Sequence, residues 1–283
     1  MTKLPNPIAD MHVVVDLAGE RRAVTIAAEL AGRLSAHLTG LALALEPLVP
    51  AYAMAAPIPT DFVVAVGEQA IADAAAAAAA FETAARDADV RFEARTLISI
   101  AGEGFMRAAG ELRLSDLVVV GQDDPDRPEP MRSPLIESIL FEAAAPALVI
   151  PYAGVSRLKT ARAIVAWDGS APAARAMRAA MPLLQLADEV KVVTVTEQEK
   201  RSAAALGVDI GAHLARHGLK VDVRRMDNSV GNIAACLLNY AADEGSDWMV
   251  MGAYGHSRMR ELLLGGATRD ILASMTLPVL MTH

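Results

Sequence analysis

The chain has 283 residues, a net charge of −8 and a sequence pI near 5.3, and 53% of its residues are hydrophobic but only 4% aromatic. This is the composition of a folded chain of two ordinary domains or one large one, not of a disordered segment. The charge, with no Lys/Arg cluster interleaved with aromatics, argues against nucleic acid as a partner, and cores filled by Ala, Val, Leu and Ile point to helix-covered parallel sheets.

In chain order, the N-terminal "MTKLPNPIADMHVVVD" has no long apolar run, so no secretory signal is expected, and "HVVVD" reads as a strand. Asp16, at its end, is expected to cap the following helix. The segment from about 46 to 65, rich in Pro and Ala, reads as an insertion. Next comes the alanine tract Ala74 to Ala80, closely bracketed by Asp73 and Glu82. Alanine forms helix well and partners lipid poorly, so a soluble helix is predicted and no membrane span. A strand "SDLVVVG" ends at Gly121 and is followed by "QDDPDRPEPMRSP". Its carboxylates at Asp123, Asp124, Asp126 and Glu129 repel a triphosphate, and its prolines remove N–H donors, so this half is expected to leave nucleotide unbound. The strand "PALVIPY" closes the half, and the polar "AGVSRLK" joins it to the next.

The second half alternates strands "ARAIVAW", "EVKVVTV", "LKVDVRR", "DWMVMG" and "PVLMT" with helical stretches "PAARAMRAAMPLLQ", one ending "GAHLARHG", "VGNIAACLLNYAADEG" and "ATRDILASM". Such alternation implies a parallel sheet with right-handed crossovers. The halves repeat: "HVVVD" matches "IVAWD", "SDLVVVG" matches "SDWMVMG", and "ILFEAAAPALVI" matches "ILASMTLPVLMT", in the same order. Two tandem doubly wound α/β domains are therefore expected, over residues 1–153 and 160–283, with ligands beyond the carboxyl ends of the strands.

At those ends stand "WDGS" after the first strand, Val195 and Thr196 after the second, and, after the fourth, "MGAYGHSRMRELLLGGATRD". Gly252 and Gly255 follow the strand and Gly265 and Gly266 open the next helix. Glycine lets a ligand reach the backbone, and a helix start offers N–H groups and partial positive charge, a geometry suited to phosphate. The spacing is neither the Gly-x-Gly-x-x-Gly fingerprint nor a Walker loop.

These motifs resemble the universal stress protein family in its tandem form. The signature of its nucleotide-binding members is Gly, two residues, Gly, nine residues, Gly, then Ser or Thr; Gly252, Gly255 and Gly265 match, and Gly266 stands where the hydroxyl belongs. The resemblance implies a Rossmann-like, adenine nucleotide alpha hydrolase-like fold whose terminal strands, Ala147–Ile150 and Val279–Thr282, pair antiparallel into an intrachain pseudo-dimer. It implies ATP or another adenine nucleotide with Mg as ligand. Asp168 and Val195 would flank the adenosine, Ala166, Trp167 and Met251 would line the cleft, and the glycine loop with Ala267 would hold the phosphates. Thr268 and the cations His256, Arg258 and Arg260 could make up for the hydroxyl lost at Gly266. A homodimer is implied as well.

Other chemistry is thinly signalled. Cys236, the single cysteine, sits at apolar helical spacing, which excludes an intrachain disulfide and suits a reducing, cytoplasmic compartment. His213 and His217 are spaced for a metal but lack a third ligand, and Ser170 reads as a helix N-cap rather than a nucleophile. No catalytic residue can be assembled from local spacing. A binding and regulatory role under stress is expected; beside it stand a nucleotide-free interaction protein with vestigial clefts and a slow ATP hydrolase.

Overall fold

The computed structural model describes residues 8–46, 60–127, 129, 131–196, 203–227, 232–254 and 266–283. They divide into two compact units: one runs as far as Gly121 and takes in Pro130–Ala145, and the other comprises Gln122–Glu129 and Pro146–His283.

In the first unit the elements are β1 (Asp10–Val14), α1 (Arg22–Leu34), β2 (His37–Glu46), α2 (Thr60–Asp87), β3 (Arg91–Ile100), α3 (Ala101–Leu112), β4 (Leu117–Gly121) and α4 (Arg132–Ser138), which runs on as a π-helical turn over Ile139–Ala143. The strands lie in the order β3-β2-β1-β4 and pair in parallel: β1 pairs Val13 with Gly40 of β2 and with Val119 of β4, and β2 pairs Leu41 with Arg95 of β3. Chain order therefore reverses between β1 and β4. The strand β4, "LVVVG", is a continuous apolar run buried along its whole length, as a strand covered on both faces requires. The alanine-rich α2 is predicted correctly as a helix. Its inward stripe is Ala74, Ala77, Phe81 and Ala85, all fully buried at i, i+3, i+4 spacing. Phe81 lies over Gly40 so closely that a Cβ there would come within 2.5 Å of the ring, and it meets Phe92 edge to face at 5.9 Å. Burying that ring contributes about 1.5–3 kcal/mol. By length and hydropathy Val63–Asp87 alone among the described helices could cross a bilayer.

The second unit holds β5 (Ala147–Ile150), β6 (Arg162–Ala166), α5 (Ala171–Leu184), β7 (Glu189–Thr196), α6 (Ala203–Arg216), β8 (Val221–Asp227), α7 (Ile233–Asp243), β9 (Trp248–Gly252), α8 (Ala267–Ser274) and β10 (Val279–Thr282). Its order is β5-β10-β9-β6-β7-β8. All pairings are parallel except the first, where Val279, Leu280 and Met281 oppose Val149, Leu148 and Ala147 in antiparallel register. The predicted pairing of the two terminal strands is thus present, and it places β5, the last strand of the first sequence repeat, in the second unit. Pairing of this kind covers the backbone edge that a short apolar strand would otherwise expose. Registered residues share a face. Ile164, Lys191 and Asp222 form one row, and Lys191 pairs with Glu244 just beyond α7, which fixes α7 over that face. Gln122 donates from Nε2 to the Leu272 carbonyl in the last turn of α8 (2.8 Å) and accepts from the Tyr152 N–H (3.2 Å).

Candidate functional site

Chain order in the second unit runs β6, β7, β8 in one direction and returns with β9 on the other side of β6. The reversal makes the carboxyl ends of β6 and β9 a switch point, the usual place for a ligand in an open α/β sheet. Ala166 ends β6 and is half-buried, and the Trp167 N–H extends the ladder by donating to the Val193 carbonyl at 2.9 Å. Asp168, next in the chain, is exposed, and its Oδ1 accepts from the Ser170 N–H at 2.9 Å, holding the turn into α5. Ser170 is the N-cap of α5 as predicted, accepting from the Ala173 N–H at 3.2 Å, with Pro172 in the first turn where a missing N–H costs nothing.

Val195 is half-buried near the end of β7, opposite Met226 of β8. Met251 is buried on β9 beside Met281 of β10. Gly252 has a packing reason of its own. A Cβ there would stand 2.4 Å from the Ala173 nitrogen, 2.7 Å from the Pro172 carbonyl carbon and 2.9 Å from the Ala173 Cα. Backbone atoms of α5 press directly on the end of β9, so only glycine fits. Nothing in the local sequence announces that contact.

Beyond β9 the Ala253 N–H donates to the Thr282 carbonyl at 2.8 Å, and Tyr254 adopts φ 55°. The Tyr254 N–H donates to Thr268 Oγ1 at 3.0 Å, which ties the exit of β9 to the first turn of α8. Thr268 is buried, and its Oγ1 accepts that bond while the hydroxyl keeps its own proton to donate. Gly266 is the N-cap of α8 in extended conformation, with no side-chain cap, and Ala267 is its first residue; both are half-buried. The first N–H groups of such a helix have no intrahelical acceptor. Gly255 and Gly265, with His256, Arg258 and Arg260, lie outside the described residues. The structure therefore places Ala166, Trp167, Asp168, Val195, Met251 and Gly252 at the carboxyl ends of β6, β7 and β9, with Gly266 and Ala267 at the start of the helix tied to β9 by the Tyr254–Thr268 bond.

Sequence reasoning missed what β10 adds. The Thr282 hydroxyl donates to the Pro172 carbonyl at 3.3 Å, a ring nitrogen of His283 lies 3.2 Å from the Ala253 carbonyl, and Arg175 donates to the His283 carbonyl at 2.6 Å. No local pattern announces these bonds, because they follow from the pairing of β10 with β9.

The first unit corrects one expectation. The N-cap of α1 is Arg21, at φ 47°, and Asp16 instead accepts on Oδ1 from Arg132 Nη2 at 2.6 Å. A guanidinium is a stronger partner for the carboxylate than a helix N–H. Elsewhere, burial pushes the Cys236 thiol up, away from nucleophile behaviour. The His213 and His217 rings are 4.8 Å apart, and among the described residues no three His, Cys, Asp or Glu side chains are grouped to hold a metal.

By strand order this is a doubly wound α/β protein of two repeated units. Residues 160–283 match the model of the Universal stress protein family. It is 32% identical over 149 residues to Universal stress protein Slr1230 of Synechocystis sp. (strain ATCC 27184 / PCC 6803 / Kazusa); the alignment takes in 51% of this chain and spans about half, 49%, of the relative. The fold is similar to that of a universal stress protein from Archaeoglobus fulgidus DSM 4304, at TM-score 0.71 and 15% identity over 96% of both chains. It is similar again to a putative universal stress protein from Pseudomonas aeruginosa UCBPP-PA14, at TM-score 0.59 and 14% identity over 98% of this chain and 94% of that one.

Proposed function

We propose that this chain is a tandem universal stress protein of the cytoplasm that binds an adenine nucleotide, ATP or a relative, with Mg, in the crevice of its C-terminal domain, and acts by binding and regulation rather than turnover. The observation that carries the reading is the β6–β9 switch point with α8 tied to its rim by the Tyr254–Thr268 bond. The donor set fits such a ligand. The exposed Asp168 carboxylate can accept from ribose hydroxyls, and the start of α8 offers backbone N–H groups to phosphate. Asp168 and Val195 would flank the adenosine, Ala166, Trp167 and Met251 would line it, and Gly252, Gly255, Gly265, Gly266 and Ala267 would surround the phosphates. The bound nucleotide would supply the signal and its Mg would neutralise the phosphate charge; the protein's part is to hold both. Assembly as a homodimer belongs to the same proposal.

One observation favours the nucleotide-free alternative: α8 has no side-chain cap at Gly266 and already carries Asp270 in its first turn, where a carboxylate answers the helix dipole. Calorimetric titration with Mg-ATP separates the two. Gly266→Ser adds a hydroxyl at the N-cap and is expected to tighten binding about tenfold to a hundredfold if it reaches phosphate, equivalent to roughly 1.5–3 kcal/mol. Gly255→Val is expected to abolish binding in a protein that still folds. Silence from both the wild type and Gly266→Ser at millimolar ligand would refute nucleotide binding and leave the interaction protein.

A further inference from the structure

The two units carry the same strand-end aspartate in opposite states. Asp168 is exposed at the end of β6, whereas Asp16, at the end of β1, has a side chain only 17% exposed and is held by Arg132, whose own side chain is 4% exposed. Around this pair the backbone is closed as well. Arg21 donates from Nε to the Asp16 carbonyl and from Nη2 to the Leu17 carbonyl, each at 2.9 Å. Gly121, ending β4 on the other side of the switch point, lies so near that a Cβ there would be 3.0 Å from Asp16 Oδ1. Arg132 opens α4, the segment that follows β4 as α8 follows β9. Aligning Pro146 with Pro278 sets Leu135 opposite Ala267, so Arg132 comes from the stretch that replaces the glycine loop.

We infer that Arg132 is an internal cation that occupies the ligand crevice of the first unit, consuming the carboxylate a ligand would need and making this cleft permanently self-filled. The first unit is then a scaffold domain, and the chain takes up one nucleotide rather than two. The count of ligands rests on the nucleotide reading given above; the occupation of the crevice by Arg132 does not.

Three measurements test it on the full chain. In the wild-type protein the Arg132 Nε–H is expected to exchange with water orders of magnitude more slowly than that of an exposed arginine; exchange at the exposed rate overturns the inference. Arg132→Met strands the Asp16 carboxylate in a buried site and is expected to lower the Tm by roughly 10 °C, and Asp16→Asn combined with Arg132→Met to recover at least half of that loss. A single variant within about 2 °C of wild type, or a double variant no better than the single one, overturns it. In a Mg-ATP titration followed by amide resonances, shifts are expected at Asp168, Gly252 and Ala267 and none at Asp16 and Gly121; shifts in the first set of strand ends as well, with two sites per chain, overturn it. If no resonance moves anywhere, the nucleotide reading fails, and the exchange rate and the Tm cycle alone decide the role of Arg132.

Discussion

Adding one carbon at Gly252 probes how the crevice is built. In Gly252→Ala the new Cβ would meet three backbone atoms of α5 at 2.4, 2.7 and 2.9 Å. Ordinary contact begins near 3.4 Å, and no rotamer change relieves a clash with main chain, so α5 or the end of β9 must shift by about 0.5–1 Å. The shift falls on the Ser170 cap and the Asp168 turn, which sit at that end of the helix. Overpacking of this kind costs about 1–3 kcal/mol, or a Tm lower by roughly 3–10 °C. Gly110→Ala is the control. That glycine is exposed within α3 and nothing lies within 4 Å of the added carbon, so alanine is expected to stabilise the helix by about 0.5–1 kcal/mol. Urea unfolding of the two variants should move the midpoint in opposite directions. A Gly252→Ala midpoint indistinguishable from wild type would refute the claim that backbone contact, and not ligand contact alone, requires glycine there.

Two further outcomes follow from single side chains. Ser170→Ala removes the acceptor of the Ala173 N–H and should cost about 1 kcal/mol in urea unfolding, with Ser170→Asp retaining most of the stability. His12 is buried in the first unit with Nδ1 2.8 Å from Ser115 Oγ; burial lowers its pKa, with Asp10 and Glu111 raising it and Arg95 and His37 lowering it. A histidine kept neutral in the fold stabilises fully above its unfolded pKa of 6.5, and that contribution is lost as pH falls below 6.5, by at most about 1.4 kcal/mol per pH unit. Thermal melts at pH 7.5 and 5.5 should show a smaller drop for His12→Gln than for wild type; equal drops would clear His12 of the effect.

The sequence by itself determined the repeat and the alternation of strand and helix. These are written in local periods: continuous apolar strands such as "LVVVG" and "WMVMG", stripes such as Ala74, Ala77, Phe81 and Ala85, and an N-cap such as Ser170, whose partner is three residues away. Such features depend on near neighbours, so a linear reading reaches them. Asp16 defeated that reading because its partner, Arg132, is far along the chain and meets it only once β1 and β4 lie side by side.

The tertiary structure alone decided the meaning of Gly252, since the atoms that exclude a side chain there belong to α5, and the engagement of Thr268 with Tyr254. The β5–β10 pairing was expected from the sequence, but that β5, the last strand of the first repeat, groups with the second unit was decided only by the structure. Strand partners and strand-end contacts are set by which edges meet, a choice between backbone hydrogen-bonding surfaces that are chemically alike in every strand. Side-chain patterning fixes the faces of a sheet, but the order of its strands is settled only when the whole sheet closes.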